Sequence, residues 1–216
     1  MRMKKVFLLA VAVFIAVSAN AQERADKGVV DTRKNVVSLG VTLGGNFSMM
    51  SNYDPIDLGS RTGLSFQGGA AINVRFGQRK GAGAGTGPIG VQLELLYANH
   101  NIKTDLNENI KLGYLEIPVL FKYYFNQEFN IEVGPTFAFL VSKSPDVLYG
   151  PSTDMFIGEL KGGDVRATIG VSYHSKKGFF ATARYNHGFC DLAGNFPCKV
   201  SAVTLSVGYL FDIFKF

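Results

Sequence analysis

Leu115-Glu116-Ile117-Pro118-Val119-Leu120-Phe121-Lys122-Tyr123-Tyr124-Phe125 alternates with a period of two. One parity holds Leu115, Ile117, Val119, Phe121, Tyr123 and Phe125; the other holds Glu116, Pro118, Leu120 and Lys122. A helix repeats its apolar face every three to four residues, so this spacing predicts a β-strand with one apolar face. After Asn126-Gln127-Glu128 a second run begins. Phe129, Ile131, Val133, Pro135, Phe137 and Phe139 alternate with Asn130, Glu132, Gly134, Thr136 and Ala138. Strands joined by so short a connection pair as an antiparallel hairpin.

The same alternation recurs at 37–48, 64–77, 91–98, 165–174, 181–186 and 202–211. No amphipathic helical pattern separates these runs. The chain therefore reads as all-β, an eight-stranded antiparallel up-and-down meander over 36–216.

Alternation alone fits a soluble barrel with an apolar core or a membrane barrel with an apolar wall. Two features favour the second. The polar parity is mostly Ser, Gly, Thr, Asn and Ala, as a narrow eight-stranded interior demands. The aromatics Phe47, Tyr97, Phe129, Tyr173, Tyr185 and Tyr209 stand near strand ends on the apolar parity, the places of interfacial girdles. The 25 glycines, above the usual ~7%, fit a crowded lumen better than a helical protein.

The start of the chain sets the compartment. Arg2, Lys4 and Lys5 precede twelve apolar residues, Val6 to Val17, and Ala19-Asn20-Ala21 supplies small residues for cleavage. This predicts a signal peptide at 1–21, cut between Ala21 and Gln22. A polar lead-in follows at 22–35. A secreted chain with a membrane barrel belongs in the outer membrane of a Gram-negative cell. The net charge of +5 comes from 22 basic and 17 acidic residues. Without Arg2, Lys4 and Lys5 it falls to +2, which excludes a nucleic-acid footprint.

With the N-terminus in the periplasm, the outward loops are 49–61, 99–111, 142–163 and 188–199. The inward turns are 78–88, 126–128 and 175–178, two of them short, as this class of barrel requires. The Gly-rich stretch Gln78 to Pro88 lacks the Lys-Ser/Thr and the strand-to-helix context of a phosphate loop and reads as a turn. Cys190 and Cys198 are expected to form a local disulfide in an oxidising compartment.

Arg75, Glu94, Glu116, Lys122, Glu132, Arg166 and Arg184 share the polar parity and form a candidate lumen charge network. A symmetric turn at 126–128 would set Lys122 opposite Glu132, and Glu94 and Arg184 could meet at mid-height. Pro118 and Pro135 would fall nearly opposite on paired strands. A closed barrel has no edge to hide a proline, so a bulge or locally broken pairing is expected there.

Tyr114 to Phe125 resembles the central strand of the PorT-like outer-membrane β-barrel family of Bacteroidetes. Gly40 to Ser48 is similar to that family's first strand. Gly134-Pro135, Ala183-Arg184-Tyr185 and Leu205 to Phe211 recur in the same order. The resemblance implies an eight-stranded porin-like small barrel, and one member type is linked to export through the type IX secretion system.

Three functions follow as expectations. The first is a structural or interaction protein acting through loops 142–163 and 188–199 on secretion-system proteins or an extracellular ligand. Outer-membrane lipid surrounds it, and the barrel assembly machinery inserts it. The second is a narrow channel for small solutes or ions. The third is a lipid-modifying enzyme, which needs a serine, a histidine and an acid together. His100, His174 and His187 show no such set in sequence. No catalytic, cofactor-binding or metal-binding residues are assigned.

Overall fold

The computed structural model describes residues 35–51, 62–77, 87–103, 109–149, 156–193 and 198–215. The signal peptide with its Ala21–Gln22 cut, the lead-in up to residue 34 and most of the 78–88 turn lie outside them.

The described strands are β1 (Val36–Met50), β2 (Thr62–Arg75), β3 (Ile89–Ile102), β4 (Ile110–Tyr124) and β5 (Phe129–Ser144). They continue with β6 (Val147–Tyr149), β7 (Phe156–Glu159), β8 (Gly163–His174), β9 (Phe179–Gly188) and β10 (Val200–Lys215). β1, β2, β3, β4, β5, β8, β9 and β10 close into one antiparallel barrel in which β1 pairs with β10. The meander expected from the period-two pattern is the architecture. β6 and β7 form a separate small hairpin that the alternation did not reveal.

Closure gives every wall strand two neighbours, so the backbone needs no water in the bilayer core. Odd positions face out on every wall strand but β2, where even ones do: Leu43 is 68%, Leu205 64% and Leu64 75% exposed, and so large an apolar surface is tolerable only against lipid. The opposite parity faces in, and Glu132, Gln92 and Asn46 are fully buried. Aromatic pairs ring one end, with Phe129 against Tyr173 at 5.0 Å and Phe179 against Tyr209 at 4.8 Å. Phe47, Tyr97 and Tyr185 stand exposed toward the other.

The end that carries the short turns and the first and last described residues is the periplasmic one. In its 175–178 turn, Gly178 adopts φ +95°, which favours glycine. Towards the other end the strands outrun their predicted limits. β3 continues through His100 to Ile102, and β5 through Ser144. The outward loops are shorter than the sequence boundaries, since strand pairing continues beyond the apolar band.

The prolines interrupt pairing without changing register. On β4 and β5, Pro118 pairs with Thr136 and the next pair is Phe121 with Val133. On β3 and β4 the pairs step from Leu93 with Val119 to Leu96 with Glu116. Each gap contains one proline, which has no N–H to give. A Cβ on Gly134, beside Pro135, would collide with the Val119 carbonyl, so this part of the wall is close-packed. The register shifts on the wall lie elsewhere, at Val37/Ser38 and Gly113/Tyr114.

The expected Cys190–Cys198 disulfide is not formed. The two side chains serve different surroundings. Cys198 is buried in the apolar cluster at the outer end. The Cys190 amide instead donates to Asp164 Oδ1 at 3.0 Å.

Candidate functional site in the barrel lumen

Alternation sends every second side chain inward, and the register fixes the height at which each meets the others. The lumen is filled in tiers.

The lower tier is ionic. Lys122 pairs with Glu132 across adjacent strands, Nζ to Oε2 at 3.1 Å. Arg184 donates Nε to Glu132, and its Nη1 and Nη2 reach the two oxygens of Glu94, each at 2.7 Å. β9 and β3 stand diametrically opposite in the strand order, so the Arg184–Glu94 fork spans the bore. Ser172 adds a hydroxyl to Glu132 at 2.9 Å, and Gln92 donates to Glu94. Two cations and two carboxylates balance, as buried charge requires. Lys122 Nζ also lies 3.2 Å from His174 Nε2. An ammonium only donates, so Nε2 accepts and the ring proton sits on Nδ1.

A neutral tier lies above. Asn186 Nδ2 donates to Thr204, Thr204 donates to Asn46 Oδ1 at 2.8 Å, and Asn46 Nδ2 donates to the Asn99 carbonyl. Thr168 gives its hydroxyl proton to Asn186 Oδ1 at 2.8 Å. Thr136, 2.7 Å from Thr168, is therefore the donor to it. The chain links six strands, β5, β8, β9, β10, β1 and β3, with a single sense of donation.

The upper tier is ionic again. Arg166 binds Asp164 Oδ2 through Nε at 2.9 Å and Glu116 through Nη1, with its guanidinium 4.7 Å from the Tyr114 ring centre. His100 joins Glu116 through Nε2 at 3.0 Å and Ser48 through Nδ1 at 2.8 Å. Ser48, His100 and Glu116 thus have the connectivity of a serine–histidine–acid relay. Their setting opposes that use. All three are buried, and Arg166 shares the carboxylate. The cavity beside Asp164 holds about 10 Å³, room for one water and not for an acyl group.

An apolar plug closes the outer end. Met50, Ile102, Ile110 and Leu112 of the wall pack with Leu160, Leu192, Ala193 and Cys198 of the loops. A backbone bridge joins Leu160 to Ala193, and the Lys161 amide donates to the Leu192 carbonyl at 2.9 Å. Two of the outward loops are thereby fastened together over the barrel.

The periplasmic end differs. Arg75 does not join the network. It lies 3.8 Å over the Tyr124 ring and donates to the carbonyls of Gly87, Gln127 and Asn126. Six of the seven charges selected from sequence fall into the two ionic tiers, three carboxylates with three cations. His100, Asp164 and Ser48 complete the upper tier and were missed. Their signal was parity: Ser48 already stood on the polar parity of the 37–48 run, and His100 and Asp164 are even-numbered continuations of runs taken as 91–98 and 165–174.

A closed antiparallel barrel with an apolar wall and an ion-paired lumen is a small outer-membrane β-barrel. The family described as "outer membrane protein beta-barrel domain" matches residues 20–194, and the chain belongs to it. Its place is the outer membrane of a Gram-negative cell. Neisserial surface protein A shares the fold at 11% identity and a TM-score of 0.51, over 81% of this chain and 99% of that one. The attachment invasion locus protein Ail of Yersinia pestis gives 12% identity and a TM-score of 0.44, over 81% and 98%. OprG of Pseudomonas aeruginosa gives 11% and 0.39, over 83% and 96%. No curated protein matches the chain.

Proposed function

We propose that this barrel acts as an interaction platform, presenting its joined outer loops to a partner while its lumen stays shut. The observation that carries this reading is the diametric Arg184–Glu94 pair at mid-bore, with the apolar plug above it. A pore wide enough for solutes cannot hold a salt bridge across its centre and keep both ends buried. The loops support the same use. Loop 142–163 carries the β6–β7 hairpin, and the Leu160–Ala193 bridge ties it to loop 188–199. A fastened surface loses less entropy on binding than a free loop.

In its specific form the reading is a secretion accessory of the PorT-like type from Bacteroidetes. It rests on the likeness of Tyr114–Phe125 to that family, whose members include a component of type IX export. The partner is then a secretion-system protein; otherwise it is an extracellular ligand. Assembly machinery inserts the chain, and the platform does no catalysis, since the Ser48–His100–Glu116 relay has no room for a substrate.

Two strains test this. One lacks the protein; the other carries a Gly-Ser linker in place of residues 147–159. Both are expected to lose the membrane partner recovered by pull-down with the intact barrel, and the deletion to lose secreted cargo. Unchanged secretion removes the accessory form. Unchanged partner recovery with the linker variant removes the platform. A channel has one observation in its favour, the open periplasmic vestibule. The ionic tiers and the plug stand between it and the outside.

A further inference from the structure

The periplasmic mouth opens into a vestibule of about 510 Å³. Its charge is one-sided. Arg75, Lys176 and Lys177 line it with the neutral His174, against the single carboxylate of Asp212. That carboxylate is already engaged, by the Ser38 hydroxyl at 2.8 Å and Lys215 Nζ at 3.9 Å. The three cations have no carboxylate within ion-pair distance among the described residues.

Arg75 is built as a fixed donor. Nε bonds the Gly87 carbonyl at 3.1 Å, Nη1 the Gln127 carbonyl at 2.9 Å and Nη2 the Asn126 carbonyl at 3.4 Å. The Tyr124 ring supports its face at 3.8 Å. A guanidinium has five N–H groups, so two remain. Carbonyls hold the side chain in place but leave its full charge uncancelled. In the lumen tiers every buried cation meets a carboxylate, and here that rule stops. Asn73 adds a second sign of an absent guest. It lines the vestibule, it is buried, and its Oδ1 has no hydrogen-bond partner among the described residues.

We propose that the vestibule binds an oxyanion that carries a hydroxyl neighbour, such as a glycerol phosphate group, from the periplasmic side. Arg75 takes the anion through its two remaining N–H groups, Lys176 and Lys177 add charge at the rim, and Asn73 Oδ1 accepts the hydroxyl. The same chemistry is offered by a free small phosphate and by the headgroup of a phospholipid in the inner leaflet.

The test is calorimetry on the full mature barrel in zwitterionic detergent at low salt, with glycerol phosphate as the probe. Saturable one-site binding is expected, weakened about tenfold or more by Arg75→Gln, the loss of one charge-assisted contact. Lys176→Gln with Lys177→Gln, both at exposed positions and so harmless to folding, is expected to weaken it several-fold. Repeating the titration in nanodiscs separates the sources. Competition by phosphatidylglycerol but not by phosphatidylcholine assigns the lipid headgroup, and equal binding in both assigns the soluble ligand. No saturable binding, or one affinity for wild type and the double-lysine variant, overturns the proposal.

Discussion

The two ends of the barrel are built on opposite plans. At the outer end Ile102, Leu112, Leu160 and Leu192 pack into a dry plug above an ionic tier whose charges all have partners. At the periplasmic end the wall opens into a cavity of about 510 Å³ with three cations against one carboxylate. One backbone geometry supports both, so the difference lies in side chains and loops alone. The closed end excludes passage, and the open end invites a guest without giving it a way through.

The comparison breaks first at the ionic tier that divides the two ends. Arg184→Ala strands the Glu94 carboxylate in the lumen and leaves Glu132 to Lys122 and Ser172. Removing one partner from a buried network costs about 3–5 kcal/mol. Urea unfolding of the barrel in lipid vesicles should show that loss. Glu94→Leu made together with Arg184→Met should recover much of it, because a paired ion is traded for packed apolar volume.

Next in size is the plug. Leu112→Ala empties a site that is 1% exposed and should cost about 2–4 kcal/mol in the same measurement. Thr168→Val cuts the neutral hydrogen-bond chain at its branch between Thr136 and Asn186 and should cost about 1–2 kcal/mol. Lys177→Gln at the open end should change unfolding by less than about 0.5 kcal/mol. A large loss there would mean that the vestibule is structural.

The wall was legible in the sequence because alternation reports directly which side chains meet lipid. Leu43, Val133 and Leu205 could be assigned from parity alone. The Lys122–Glu132 pair followed from the three-residue turn, since a short hairpin fixes register. The upper tier was harder to read. His100 sits where apolar periodicity has faded above the membrane, and Asp164 precedes the recognised start of its run. The β6–β7 hairpin was hidden for a related reason: its strands of 3 and 4 residues are too short for alternation to stand out. The cysteines mislead because spacing carries no side-chain direction. Cys198 packs into the plug, whereas the backbone at Cys190 is drawn to Asp164. The vestibule had no local signature, since Asn73 and Arg75 of β2 meet Lys176 and Lys177 of the distant 175–178 turn.

The central claim is a shut bore. Planar-bilayer recording of the purified mature barrel at high salt tests it directly. The account predicts no conductance steps above the bare membrane for wild type, while Arg184→Ala combined with Leu112→Ala opens measurable ones. Stepwise conductance from the wild-type barrel itself would contradict it.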